Sequence, residues 1–241
     1  MMGKIQLFCI PYAGGSGIVY DKWASFLHPS IEYVPIELAG RGRRFKDRLY
    51  QDWDEAIADI SSLIASKRDG SPFVFFGHSM GGLLAYELYY TFLAQGETTP
   101  EVLFVSGKNP PHKDMIKNRH TLSDEELILE LKELGGTPEE ILQNRELLDI
   151  VLPIIRSDFA MLERYDYTPK KTPLGKNLVV LSGSGDQMTK EVAEWKEYTS
   201  EECTFYSFEG GHFFLHDFTE QIVQIINHHV VALLKEPDYS V

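Results

Sequence analysis

Residues 73–82 read Phe-Val-Phe-Phe-Gly-His-Ser-Met-Gly-Gly, and no other stretch of this chain restricts its fold as much. Four consecutive apolar residues with no polar alternation are what a strand buried on both faces requires, and such strands belong to parallel sheets covered by helices. Gly77-His78-Ser79-Met80-Gly81 is a G-x-S-x-G pattern, and Leu83–Ala94 behind it has helical spacing. Alone the pattern is common; between a buried strand and a helix it has a mechanical meaning. A sharp strand-to-helix turn lifts the serine hydroxyl clear of the sheet, and flanking glycines let neighbouring backbone pass where a Cβ would clash. The same turn aims the Met80 N–H, at a helix start, toward negative charge developing at Ser79.

The remaining periods agree. Gln6–Pro11, Ile31–Leu38, Phe73–Gly77, Val102–Ser106, Leu178–Gly183 and Cys203–Phe208 are short, β-branched or aromatic and bounded by turn residues, so they are predicted strands. In Gln51–Ser66 the residues Trp53, Ile57, Ile60 and Ile64 form one helical stripe, and Leu83–Ala94, Lys190–Tyr198 and Phe218–Leu234 read similarly. The class is α/β: one domain over residues 1–241, with a mainly parallel central sheet flanked by helices. Residues 108–172 break the rhythm with helix and no strand. Ser123–Glu126 and Thr137–Glu140 match capping boxes, with Pro138 at the first helical position. Arg145 to about Tyr165 is a third helical run, which Pro153 is expected to kink or interrupt. This helical insertion is expected to be a lid over the site.

Charge and cysteines narrow the class of partner and compartment. Lys and Arg number 23 against 36 Asp and Glu, a net charge of −13, which opposes a nucleic-acid role. No run reaches the ~20 apolar residues that cross a bilayer, and the start of the chain lacks a secretory apolar segment. Cys9 and Cys203 lie in strand-like segments as expected free thiols, without metal or redox spacing. The expectation is a cytoplasmic monomer without a membrane partner.

A nucleophilic serine needs a base, and the base an orienting acid. Gly210-Gly211-His212 follows the Cys203–Phe208 strand, and its glycines free the loop to present His212 over the sheet edge. His78 adjoins Ser79 and should point away from it. His28, His228 and His229 lie in helical patterns, His112 and His120 in the insertion, and His216 one turn past His212 without zinc-spaced partners. For the acid, Asp186 follows Gly183-Ser184-Gly185 at a strand end; its rivals Asp158, Asp166 and Asp217 do not sit at strand ends. The loop Pro11-Tyr12-Ala13-Gly14-Gly15-Ser16-Gly17 should supply a further N–H for an oxyanion, from Ala13 or Gly14, and it does not make a G-x-G-x-x-G phosphate fingerprint.

Taken in order, Pro11–Gly15, Ala39-Gly40-Arg41-Gly42, Gly77–Gly82, Asp186 after Gly183, and Gly210-Gly211-His212-Phe213-Phe214 resemble the type II thioesterases that accompany nonribosomal peptide and polyketide synthases. The resemblance spans nearly the whole chain; Ala39 departs from it, where many relatives have proline. It implies an α/β-hydrolase fold with a mobile helical lid, and hydrolysis of acyl groups from the phosphopantetheine arm of acyl- or peptidyl-carrier domains. It further implies Ser79 as nucleophile, His212 as base, Asp186 as acid, and the Ala13 and Met80 N–H groups as oxyanion hole. No metal and no cofactor of the enzyme's own is called for. Tyr12, Phe213, Phe214 and Met80 suggest an apolar cleft. Arg41, Arg43 and Arg44, with Lys46 and Arg48, form a candidate carrier-docking patch opposed only by Asp47; Lys108, Lys113, Lys117 and Arg119 form a second. A carboxylesterase or lipase with the same triad, or a catalytically idle hydrolase-fold binding protein, are the competing readings.

Overall fold

The structure is a computed structural model describing residues 4–113 and 118–234. Among these, six strands form one sheet: β1 Ile5–Ile10, β2 Ile31–Pro35, β3 Phe73–His78, β4 Val102–Ser106, β5 Asn177–Gly183 and β6 Cys203–Phe208. Their order is β2-β1-β3-β4-β5-β6 and every pairing is parallel. The apolar runs of β1 and β3 are explained by two cores. Phe8, Ile10, Phe73 and Phe75 face α1 (Trp53–Lys67) and α2 (Met80–Ala94), meeting Ile60, Ile64, Leu84 and Leu88. Leu7, Cys9, Val74 and Phe76 point the other way, onto Tyr20, Trp23, Ile222 and Ile226. Each large apolar side chain so enclosed contributes about 1.5–3 kcal/mol, which is why the central strands tolerate no polar alternation. Cys9 is buried and Cys203 half-buried, both as free thiols.

The insertion between β4 and β5 carries α3 (Asp124–Leu134), α4 (Glu139–Leu142) and α5 (Arg145–Glu163). Ser123 and Glu126 form the expected capping box, and Gly135 ends α3 in the left-handed region at φ 80°. The second expected box is absent. Pro138 keeps an extended ψ of 140°, so it stands outside α4 and its carbonyl accepts the Ile141 and Leu142 N–H groups. Nor does Pro153 interrupt α5, which runs through it. Pro153 and Asp149, whose carbonyl the missing N–H would have met, are both exposed, so the lost bond falls on the solvent side. Lys190–Tyr198 also differs: residues Val192–Tyr198 form a 3₁₀ helix. Leu127, Leu131, Leu142, Leu148, Leu152, Ile155 and Phe159 give the insertion its own core, which closes on Ala13 beside β1. The last helix is α6 (Thr219–Leu233).

Candidate active site

The turn between β3 and α2 is too tight for side chains. A Cβ on Gly77 would lie 2.0 Å from the Gly81 carbonyl oxygen, and one on Gly81 would lie 2.2 Å from that of Ile10. Ser79 is the one non-glycine residue with positive φ among the described residues, at φ 53° and ψ −116°. Such a conformation persists only when its surroundings enforce it. Here Ser79 N–H donates to the Ser106 carbonyl at 2.7 Å, and Gly82 N–H donates to the Ser79 carbonyl at 3.0 Å. Gly81→Ala would drive a methyl into fixed backbone, so it is expected to cost about 3 kcal/mol or more and lower Tm by roughly 6–12 °C or more. Thermal unfolding of the purified variant checks this, and a Tm unchanged from the wild type would contradict it.

His212 and Asp186 meet because the loops after β5 and β6 are pressed together. Ser184 N–H donates to the Phe208 carbonyl at 2.7 Å and Gly185 N–H to that of Gly210 at 2.8 Å. A Cβ on Gly183 would lie 2.3 Å from the Gly211 carbonyl oxygen. His212 Nδ1 and Asp186 Oδ2 are 2.7 Å apart, and Asp186 Oδ1 accepts the Met188 N–H at 2.9 Å. Both side chains are buried. Burial pushes the Asp186 carboxyl up, but the His212 bond and charge and the Met188 N–H outweigh it and hold it below the usual carboxylate range. His78 is fully buried, with Nδ1 2.9 Å from the Ser106 hydroxyl, so it is turned to the sheet. Burial and then the charges of His212 and His216 hold it well below an ordinary histidine.

Ser79 and His212 share a cleft of about 670 Å³, bounded by residues 12–16 after β1 and by Leu131, Ile141, Ile155, Phe159 and Leu162 of the insertion. Tyr12 and Phe213 line it as expected, their rings edge-on at 4.9 Å, and a Cβ on Gly136 would strike the Phe213 ring at 2.1 Å. Phe214 and the Met80 side chain do not. Phe214 stacks on Phe208 in one core and Met80 lies in the other.

The candidate docking patches are corrected by their ion pairs. Arg41 is 3% exposed and forms a bidentate pair with Asp158 of α5 at 2.6 and 2.7 Å, so it is no surface residue. Arg44 is held by Asp59 and Asp47, both at 2.7 Å, and Arg48 by Glu55. Arg43 alone of the three candidates is exposed without an ion pair among the described residues. Of the second patch, Lys108 and Arg119 are buried, Lys113 pairs with Glu194 at 2.7 Å, and Lys117 lies outside the described residues.

Asp158 also accepts the Gly14 N–H at 2.7 Å, and Ile155 one turn earlier packs where a Gly14 Cβ would be, 2.5 Å away. The insertion is thereby fastened to the glycine loop by a buried charge pair. Sequence reasoning considered Asp158 only as a rival acid; its spacing one turn after Ile155 on the inward face of α5 was the available signal.

An all-parallel sheet with a serine elbow after β3, a histidine after the last strand and helices inserted between β4 and β5 is the α/β-hydrolase fold. The family model of the thioesterase domain matches residues 5–230, and the chain belongs to that family. It is 35% identical over 230 residues to the gramicidin S biosynthesis protein GrsT of Aneurinibacillus migulanus, covering 92% of this chain and 88% of that one. Among solved structures, ClbQ from the colibactin NRPS/PKS pathway superposes with a TM-score of 0.91 at 34% identity, over 96% of this chain and 98% of that one. The type II thioesterase BorB from the borrelidin biosynthetic cluster gives 0.85 at 35% identity, over 94% and 92%. The protein is thus a thioester hydrolase by family and fold. No helix among the described residues is long and apolar enough to cross a membrane.

Proposed function

We propose that this protein hydrolyses acyl thioesters carried on the phosphopantetheine arm of acyl- or peptidyl-carrier domains, with Ser79, His212 and Asp186 as its triad. The observation that carries the reading is the 2.7 Å His212–Asp186 bond at the floor of a cleft that also holds the Ser79 elbow. Asp186 occupies Nδ1, which leaves Nε2 to take the Ser79 proton as Oγ attacks the thioester carbonyl carbon. The oxyanion is bound by the N–H groups of Met80 and Ala13; Gly14, the other candidate in that loop, already gives its N–H to Asp158. Collapse of the tetrahedral intermediate breaks the C–S bond, and the pantetheine thiolate leaves with the proton from His212. Water then attacks the acyl-enzyme with His212 again as base, releasing the free acid and restoring Ser79. The helical insertion acts as the lid, and no metal or cofactor enters any step. The relatives serving nonribosomal peptide and polyketide pathways support the carrier as partner.

The test compares one acyl group on a carrier domain and on free pantetheine. The carrier-bound thioester is expected to be the better substrate in kcat/KM, whereas equal rates would favour a small-molecule esterase. Arg43→Glu is expected to lower kcat/KM only on the carrier, by a few-fold, corresponding to about 0.5–1 kcal/mol for a rim charge, and to flatten its salt dependence. An unchanged rate and salt slope would remove Arg43 from the docking surface.

A further inference from the structure

The cleft wall holds no aspartate or glutamate among the described residues; its cations are Lys22, which is exposed, and one buried arginine. Arg119 is 5% exposed. Its Nε–H donates to Glu130 Oε1 of α3 at 2.6 Å, and Nη2 lies 3.7 Å from the Met188 sulfur, a weak acceptor. Its guanidinium carbon sits 5.4 Å from the centre of the Phe159 ring. A guanidinium has five N–H donors, and among the described residues only Nε and Nη2 of Arg119 have side-chain partners, which leaves Nη1 available to a ligand oxygen. Met188 is also the residue whose N–H holds Asp186, so the cation lies beside the loop that carries the candidate acid.

We propose that Arg119 is a carboxylate subsite for the acyl group, which makes half-thioesters of dicarboxylic acids the favoured substrate class. A carboxylate matches the free donors of a guanidinium in a two-bond geometry that gains strength away from water. An acyl group bearing an ammonium meets the opposite: a like charge and no acid in the cleft wall to receive it. The proposal rests on acylation at Ser79.

The experiment loads a carrier domain with chains of matched length, succinyl against butyryl and glutaryl against pentanoyl, and measures kcat/KM for each. The readout is the carboxylated-to-plain ratio within each protein, which cancels any general loss of activity. At the better length the wild-type ratio should exceed that of Arg119→Met by about ten- to hundredfold, the range for a hydrogen-bonded charge. Glu130→Gln removes the competing carboxylate and should raise the ratio. A ratio equal within twofold in wild type and Arg119→Met at both lengths, or not raised by Glu130→Gln, overturns the subsite. Calorimetric binding of non-hydrolysable glutaryl and pentanoyl pantetheine thioether analogues gives the same ratio without turnover. If no chain is released by the wild type, hydrolysis of these carrier thioesters fails and this binding ratio decides the subsite alone.

Discussion

Ser79→Ala is expected to lower the rate of release from an acyl-loaded carrier by on the order of 10⁴–10⁶, the range seen when a triad nucleophile is removed. The magnitude follows from what is lost. Without Oγ there is no acyl-enzyme, His212 has no hydroxyl to deprotonate, and only the oxyanion N–H groups and binding remain to assist direct attack by water. The substitution is a clean one here. Alanine meets the same steric conditions as serine at φ 53°. Tm should therefore change by no more than about 2 °C, of the order expected for a shift below 1 kcal/mol in a chain of this size. Intact-protein mass spectrometry of an acetyl-loaded carrier, incubated with each protein, reads the loss of the acyl mass directly. Release by Ser79→Ala within about tenfold of the wild type would remove Ser79 as nucleophile. Release by neither protein would direct the search to other acyl chains and simple esters.

Asp158→Ala is expected to be the most destabilising substitution outside the central core. It would leave Arg41, 3% exposed, as an uncompensated buried charge and take the acceptor from the Gly14 N–H. Breaking one side of a buried pair costs about 3–5 kcal/mol, equivalent to a Tm lowered by roughly 6–20 °C at this chain length. Arg41→Ala should fall in the same range, because Asp158 would then be the stranded charge. The two losses should not add. Removing both charges together, as in Arg41→Met with Asp158→Leu, leaves nothing ionic to strand and should recover much of the stability, since such apolar replacements are often neutral. Single-variant Tm values within about 1 °C of the wild type, or strictly additive losses in the double variant, would contradict the account. The pair joins α5 to the glycine loop, so the same substitutions test whether the insertion is fastened to the sheet at this point.

Much of the scaffold was legible because it rests on local rules. The four-residue apolar run of β3, the glycines of the elbow and the Ser123–Glu126 cap each depend on neighbours within a few positions, and the structure contains all three. The loops carrying Asp186 and His212 were legible for the same reason: each follows a strand and contains the glycines that let two turns pack backbone to backbone. Misreadings came where one local rule competed with a contact or with solvent. Of the two outcomes expected at Pro153, interruption does not occur because the bond it forfeits faces water, and Phe214 turns into the core although its neighbour Phe213 lines the cleft.

The charged residues separate the two kinds of information most sharply. In one dimension Arg41, Arg43 and Arg44 make a single basic cluster. In three they are a buried anchor to Asp158, an exposed cation and a half-buried partner of Asp59. Local sequence determines which segments become strands and helices and in what order the candidate nucleophile, acid and base arise, because periodicity and turn chemistry act over a few residues. Tertiary structure alone decides which charge meets which and which side chains wall the cleft. An ion pair between residues 41 and 158, or an arginine turned toward a cavity, depends on the packing of elements distant in the chain, and spacing carries no record of that.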